Sequence, residues 1–422
     1  MLLAAGAVAC TDDADTGAGR TQAPTSVPPS PAAPTGNPRV EAAYAFAQCM
    51  RDHGIEDFAD PQLRPDGDFF LTPPADVDDE VLRPAEAACE HLLPRPAEPG
   101  TVPTDDAVTA RWERIVPGGD CQCSDGSEFS FWVRAADAEK FVFYLQDGGV
   151  CFSAETCAPE RDLYNTRVNE GPVGEGGIFD FADARNPFGD YTVVYVPYCT
   201  GDAHLGDASV EYAPGLTIQH KGYVNASAAL DHLATTSRRA TDVVVVGESA
   251  GAIAAPLYAG LVADRLPDAR VTVLADGSGS FPGGRRVNDI VAAWGLGGAV
   301  RPWPDADSWS IPGLFVESAR HDPDIVFARH DYAYDEKQQS WYPIAGLPAR
   351  DLLSRIDANE TRIEAAGVDL ASYIAPGDEH TALSDGTFYT EEVDGTRLVD
   401  WVSRLIEGEP VDDVHCVDCT GR

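Results

Sequence analysis

A doubly wound, mostly parallel α/β sheet of the α/β-hydrolase type, preceded by a small helical module, is the architecture this sequence predicts. Two observations carry it. From about residue 105 onward, short apolar runs alternate with helix-spaced segments, which is the pattern of βαβ units. Near the middle, VVVVGESAGAIAAPLYAGLV (243–262) drives four valines into a small polar turn and then into an Ala-rich helical run. Four β-branched residues in succession suit a strand buried on both faces. Glycines two before and two after Ser249 suit a tight strand-to-helix turn, a nucleophile elbow that exposes a serine hydroxyl at the sheet's carboxyl edge.

The elements follow in chain order. Residues 1–10, MLLAAGAVAC, are similar to the tail of a bacterial lipoprotein signal, with Cys10 as the lipidated residue. Residues 11–38 hold six prolines among Thr, Ala, Ser and Gly, a linker without a core. Within 39–100, YAFAQCMRDHG and PAEAACEHLLP each read as a short amphipathic helix carrying one cysteine, Cys49 or Cys89. A Cys49–Cys89 bridge would staple a hairpin too small to hold itself together by burial. His53 there reads as a surface residue. In the large domain, 105–422, strands are expected at Phe129–Arg134, Lys140–Gln146, Tyr191–Pro197, Asp242–Gly247, Ala269–Ala275, Asp324–His330 and Leu370–Ala375. Helices are expected at Tyr223–Thr235, Ser249–Leu266 and Asp394–Glu407.

Composition narrows the class of function. With 69 acidic against 30 basic residues the net charge is −39, a field that repels nucleic acid and anionic membrane. No apolar run reaches the roughly 18 residues a membrane helix needs. Ten cysteines favour an oxidising compartment. Cys121 and Cys123 are too close for a zinc knuckle, so disulfides are expected, with no metal and no cofactor. If Cys10 is lipidated, at least one remaining thiol is left over. The chain therefore reads as a secreted or cell-surface monomer, lipid-anchored to the outer face of the cytoplasmic membrane.

An elbow serine needs a base, a group to orient that base, and donors for an oxyanion. His380, in SYIAPGDEHTAL, follows a short strand and a glycine-containing loop, where an imidazole can reach over Ser249; His321, His330 and His415 are the other candidates. For the acid, DIVFARHDYAYDEKQ offers Asp335 just past a strand, with Asp331 and Asp324 as alternatives. FVFYLQDGGVCFSAETC supplies the oxyanion loop: Gly148 and Gly149 after an apolar strand, with Ala250 as the second element. A Cys151–Cys157 bridge would clamp that loop, and Cys199 would pair with Cys121 or Cys123.

LQDGGVC with a nearby cysteine, VPYCTGD (196–202), HKGYVNASAALDHL (220–233), GESAG and AYDEKQ together resemble the pectin acetylesterase family, which includes Notum. The similarity spans about residues 110–385, and the bacterial branch with TGDAHLGD is nearest. The resemblance implies a serine esterase with Ser249, Asp335 and His380 at the triad positions, and with Gly148, Gly149 and Ala250 as oxyanion amides. Asp147 stands where that family usually has glycine and is expected to point away from the oxyanion; Val150 replaces an aromatic. Tyr198, Asp202 and His204 either line the cleft or hold it up. The N-terminal module is similar to a two-cysteine module of secreted lipoproteins from high-GC bacteria.

The function read from the sequence is thus a metal-free serine carboxylic-ester hydrolase acting on acetylated carbohydrate or another small acyl ester. The alternative is a non-catalytic α/β-hydrolase-fold binding protein at the cell surface. Because the global charge repels polygalacturonate, short neutral esters, acetyl first, are expected to outcompete acetylated pectin. Few cations lie near the site motifs, and Lys221, Arg285, Arg286, Arg329 and Lys337 are the candidates.

Overall fold

The chain divides into two compact units, Met1–Asp105 and Asp106–Arg422. The computed structural model describes residues 38–55, 58–59, 61–63, 69–70, 84–85, 88–89 and 92 of the first. Of the second it describes residues 112–169, 171–172, 176–237, 239–296, 310–348 and 351–419. Cys10 and the linker up to residue 37 lie outside the described residues, while Pro38 opens the first helix.

In the small unit, α1 (Pro38–Asp52) turns Phe46, Ala47 and Met50 inward onto Ile55, Phe58, Ala85 and Cys89. The Cys49–Cys89 disulfide is formed. It supplies a cross-link that this small core needs, since so few apolar side chains cannot offset the chain entropy alone. His53 is exposed, with Nδ1 2.9 Å from the Cys49 carbonyl. An antiparallel pair, β1 (Gln62–Leu63) and β2 (Phe69–Phe70), adds to the expected helices.

The large unit is built on a nine-stranded sheet. Its strands are β3 (Trp112–Ile115), β4 (Phe131–Arg134), β5 (Lys140–Leu145), β6 (Thr192–Val196), β9 (Asp242–Glu248), β10 (Arg270–Asp276), β11 (Val326–Tyr332), β12 (Leu370–Ala375) and β15 (Val414–His415). Two hairpins stand apart from it, β7 (Ala208–Ala213) with β8 (Leu216–His220) and β13 (Glu392–Val393) with β14 (Thr396–Arg397). The sheet order is β15-β12-β11-β10-β9-β5-β6-β4-β3. Every neighbouring pair from β15 to β6 is parallel, and β4 and β3 add an antiparallel edge.

The valine run explains why β9 is central. Val243 and Val245 enter one apolar layer and Val244 and Val246 the other, as a two-residue side-chain period requires. All four are fully buried, worth roughly 1.5–3 kcal/mol each against exposure. One layer is covered by α2 (Gly222–Thr236), α3 (Ala250–Arg265), α4 (Arg285–Ala293) and α5 (Ile311–His321). The other layer receives residues of α6 (Glu336–Ile344), α7 (Leu352–Ala365) and α8 (Leu398–Ile406), with Tyr144, Tyr195, Tyr373 and Trp401 among its bulk.

Strand limits shift where turns take residues out of the ladder. The Asp324 amide donates to Asp322 Oδ1 at 3.0 Å, so β11 starts two residues later than expected and runs on to Tyr332. The helix expected from Asp394 begins at Leu398, because Asp394 and Gly395, both at positive φ, form the β13–β14 turn.

Cys151–Cys157 is formed as expected, and Cys199 takes Cys123 of its two candidate partners. Cys416 and Cys419 close a further bridge. Cys121 is the free thiol among the described residues; burial, and then Asp120, push it up to about 11. Among these residues no helix is long and apolar enough to cross a membrane.

Candidate active site

The valine strand delivers Ser249 in a strained pose. Its φ is 51° and ψ −110°, a region that non-glycine residues rarely occupy. The flanking glycines are required by contact. A Cβ on Gly247 would meet the Gly251 carbonyl at 2.3 Å, and one on Gly251 would meet the Leu145 carbonyl at 2.0 Å. The turn is therefore clamped between β5 and the start of α3. The Ser249 amide donates to the Asp276 carbonyl at 2.7 Å, tying the elbow to the end of β10.

His380 and Asp335 meet this serine. His380 Nε2 lies 2.7 Å from Ser249 Oγ, and its Nδ1 lies 2.7 Å from Asp335 Oδ2. A carboxylate only accepts, so the Nδ1 proton belongs on that side and Nε2 accepts from the serine hydroxyl. Asp335 is fully buried and N-caps α6, taking the Gln338 amide on Oδ1 at 2.8 Å. Burial lowers the His380 pKa, but the hydrogen bond and charge of Asp335, helped by Asp276 and Asp147, outweigh it and leave the imidazole above its ordinary 6.5. The base must be neutral to accept a proton. kcat/KM is accordingly expected to fall as pH drops through a value above 6.5, read from a pH profile on a neutral ester.

The competing candidates are engaged elsewhere. His330 is buried in β11 against Asp276 at 2.7 Å, His321 pairs with Asp264, and His415 faces Asp357. Asp324 is exposed at the entry of β11. Asp331 is buried beneath the site, accepting from the Gly279 amide and from Gln338; burial raises it to about 6, with Arg329 pulling the other way.

Ser249, Ala250, Gly149 and His380 open onto a cavity of about 690 Å³, its mouth included. Its wall is apolar: Val150, Phe152, Phe281, Ile290, Trp294 and Trp341 contribute, and among the described residues no lysine or arginine lines it. Gly148 does not line it; the place where a side chain would stand there is filled by Tyr198 and Asn165. Asp147 is exposed and outside the lining, yet its charge adds to the field on His380. Three of the cations near the motifs are engaged by protein groups. Lys221 pairs with Asp207, Arg329 is buried against Glu360, and the Arg286 side chain bonds the Ala345 carbonyl.

Tyr198, Asp202 and His204 are structural. Asp202 accepts from Thr200 and the Gly222 amide, Tyr198 from the Ala203 amide, and His204 contacts the Gln146 carbonyl. Burial holds His204 neutral, down to about 4.

The supports of the histidine loop went unread in the sequence. Asp276 Oδ2 accepts the Ala382 and Leu383 amides at 2.8 and 3.0 Å. Glu248 takes the Ser384 amide and hydroxyl and contacts the Tyr144 hydroxyl. Burial, and then Asp276, push Glu248 up to about 8. The one available signal was an acid at the carboxyl end of β9 and of β10.

A mostly parallel sheet with helices on both faces and a serine–histidine–aspartate series at its carboxyl edge defines an α/β-hydrolase-like protein. Residues 116–288 match the family model described as pectinacetylesterase. The palmitoleoyl-protein carboxylesterase NOTUM of Schmidtea mediterranea is 30% identical over 146 residues, 31% of this chain and 26% of that protein. The chain thus matches about a quarter of that relative's length. The solved Wnt deacylase Notum from Drosophila shares the fold, with a TM-score of 0.54 at 17% identity over 72% of this chain and 96% of that one. Over residues 116–288 the chain is thus similar to the pectinacetylesterase family, and its fold is that of Notum.

Proposed function

We propose that the protein is a secreted serine carboxylic-ester hydrolase, and the observation that carries this reading is the Ser249–His380–Asp335 series opening onto an apolar cavity. Ser249 Oγ adds to the ester carbonyl carbon while His380 Nε2 takes its proton. The amides of Gly149 and Ala250 receive the oxyanion. Collapse breaks the bond to the alcohol oxygen, which leaves with the His380 proton. Water, deprotonated by His380, then releases the acid from the acyl-enzyme. Asp335 keeps the imidazole in the working tautomer and stabilises its charged form. Four disulfides among the described residues support an oxidising compartment.

The cavity favours a longer acyl chain than acetyl. An acetyl group would leave most of its apolar wall unfilled, whereas each buried methylene contributes about 0.8 kcal/mol, close to a fourfold gain. kcat/KM on p-nitrophenyl esters is expected to climb from acetate to octanoate, departing from the acetyl preference expected from charge alone. A series that peaks at acetate would exclude the cavity as the acyl site.

A further inference from the structure

Gln338 sits on the first turn of α6, buried, with its side chain at the cavity wall. Its amide is fully occupied by protein. Nε2 donates to Asp335 Oδ2 at 2.8 Å and to Asp331 Oδ1 at 3.1 Å. Oε1 accepts from the Ser280 amide at 3.1 Å and from the Ser280 hydroxyl. A primary amide offers two donors and two acceptor sites, so nothing remains for a substrate to bond.

Asp335 needs this partner. Among the described residues its ion pairing is with His380 alone, and its other lone pairs must be met by neutral donors. Gln338 supplies two, the backbone amide on Oδ1 and the side chain on Oδ2. The side-chain bond falls on the same oxygen that meets His380.

We infer that Gln338 is a positioning residue: its amide, locked by Ser280 and Asp331, holds the Asp335 carboxylate in the orientation that meets His380 Nδ1. This inference rests on the proposed ester hydrolysis. Two consequences follow from sharing Oδ2. Without Gln338 the carboxylate can rotate about its terminal torsion, and misplacement on the ångström scale costs on the order of 100-fold in rate. An oxygen relieved of one donor is also more basic, so it holds the imidazolium proton more tightly. The acid limb of kcat/KM then moves to higher pH.

The test is Gln338→Met in the full chain, which keeps the length of the side chain and the backbone cap but removes every amide bond. With p-nitrophenyl octanoate, kcat is expected to fall about 10- to 100-fold with KM within about twofold, and the acid limb to move upward. Ser280→Ala, which only loosens the amide, should shift both in the same direction by less, and it decides the matter if Gln338→Met does not fold. In an Asp335→Asn background Gln338→Met should add no further loss. A folded variant with unchanged kcat and acid limb, a loss confined to KM, or independent losses in the double variant would each overturn the assignment. Ser249→Ala is run alongside. Residual turnover there would remove the triad reading itself, whereas its loss together with an unaffected Gln338→Met would sink the positioning role alone.

Discussion

Ser249→Ala is expected to lower ester hydrolysis by on the order of 10⁴-fold or more, with the protein still folded. The serine's contacts explain both halves of this result. Its hydroxyl bonds His380 alone among the described side chains, so alanine orphans no deeply buried group. The elbow is held by the Ser249 amide on Asp276 and by the close glycine packing, none of which uses the hydroxyl. Members of such a series act as a unit, so the loss of one removes most of what all supply. A fluorophosphonate probe should label the parent chain and not the variant. Equal labelling of both would point to the binding-protein alternative or to a different nucleophile.

Asp335→Asn is expected to cost a similar amount, about 10⁴-fold in kcat, through a change of tautomer together with loss of the Gln338 side-chain bond to the same atom. Asparagine caps a helix about as well as aspartate, so Oδ1 can still accept the Gln338 amide that starts α6. The group facing His380 Nδ1 at 2.7 Å then has a reason to donate. Nδ1 must accept, the proton moves to Nε2, and Nε2 can no longer take the Ser249 proton. Asp324→Asn, on an exposed carboxylate at the far end of β11, should leave turnover unchanged. Near-parental activity in Asp335→Asn combined with a severe loss in Asp331→Asn or Asp324→Asn would move the acid role elsewhere.

What could be read in advance was local. The valine run, the glycines around Ser249 and the cysteines near Gly149 each state their own requirement within a dozen residues, and strand period and elbow follow from them. His380 and Asp335 were reachable because each lies just past a strand of a parallel sheet, where loops converge. The floor of the site was not reachable. Asp276 meets the loop of His380 across 106 residues, and Gln338 meets Ser280 across 58; neither has a periodicity or turn chemistry of its own. The cavity wall was hidden for the same reason, since Phe152, Trp294 and Trp341 come from three separated segments. Charge, a property of the whole chain, gave no indication of a lining that is mostly apolar.

The order of the sheet also sets how the chain must come together. β5 pairs on one side with β6 and on the other with β9, whose Glu248 meets Tyr144 across 104 residues. Such distant partners make the search slow, because loop closure precedes any reward from pairing. Meanwhile the four valines stand uncovered, a short apolar β-forming segment of the kind that joins one unfinished chain to another. The Cys123–Cys199 link spans 76 residues beside that centre and narrows the search once it closes. A charge of −39 keeps neighbouring chains apart in the interval. The net acidity thus has its use before the cavity exists.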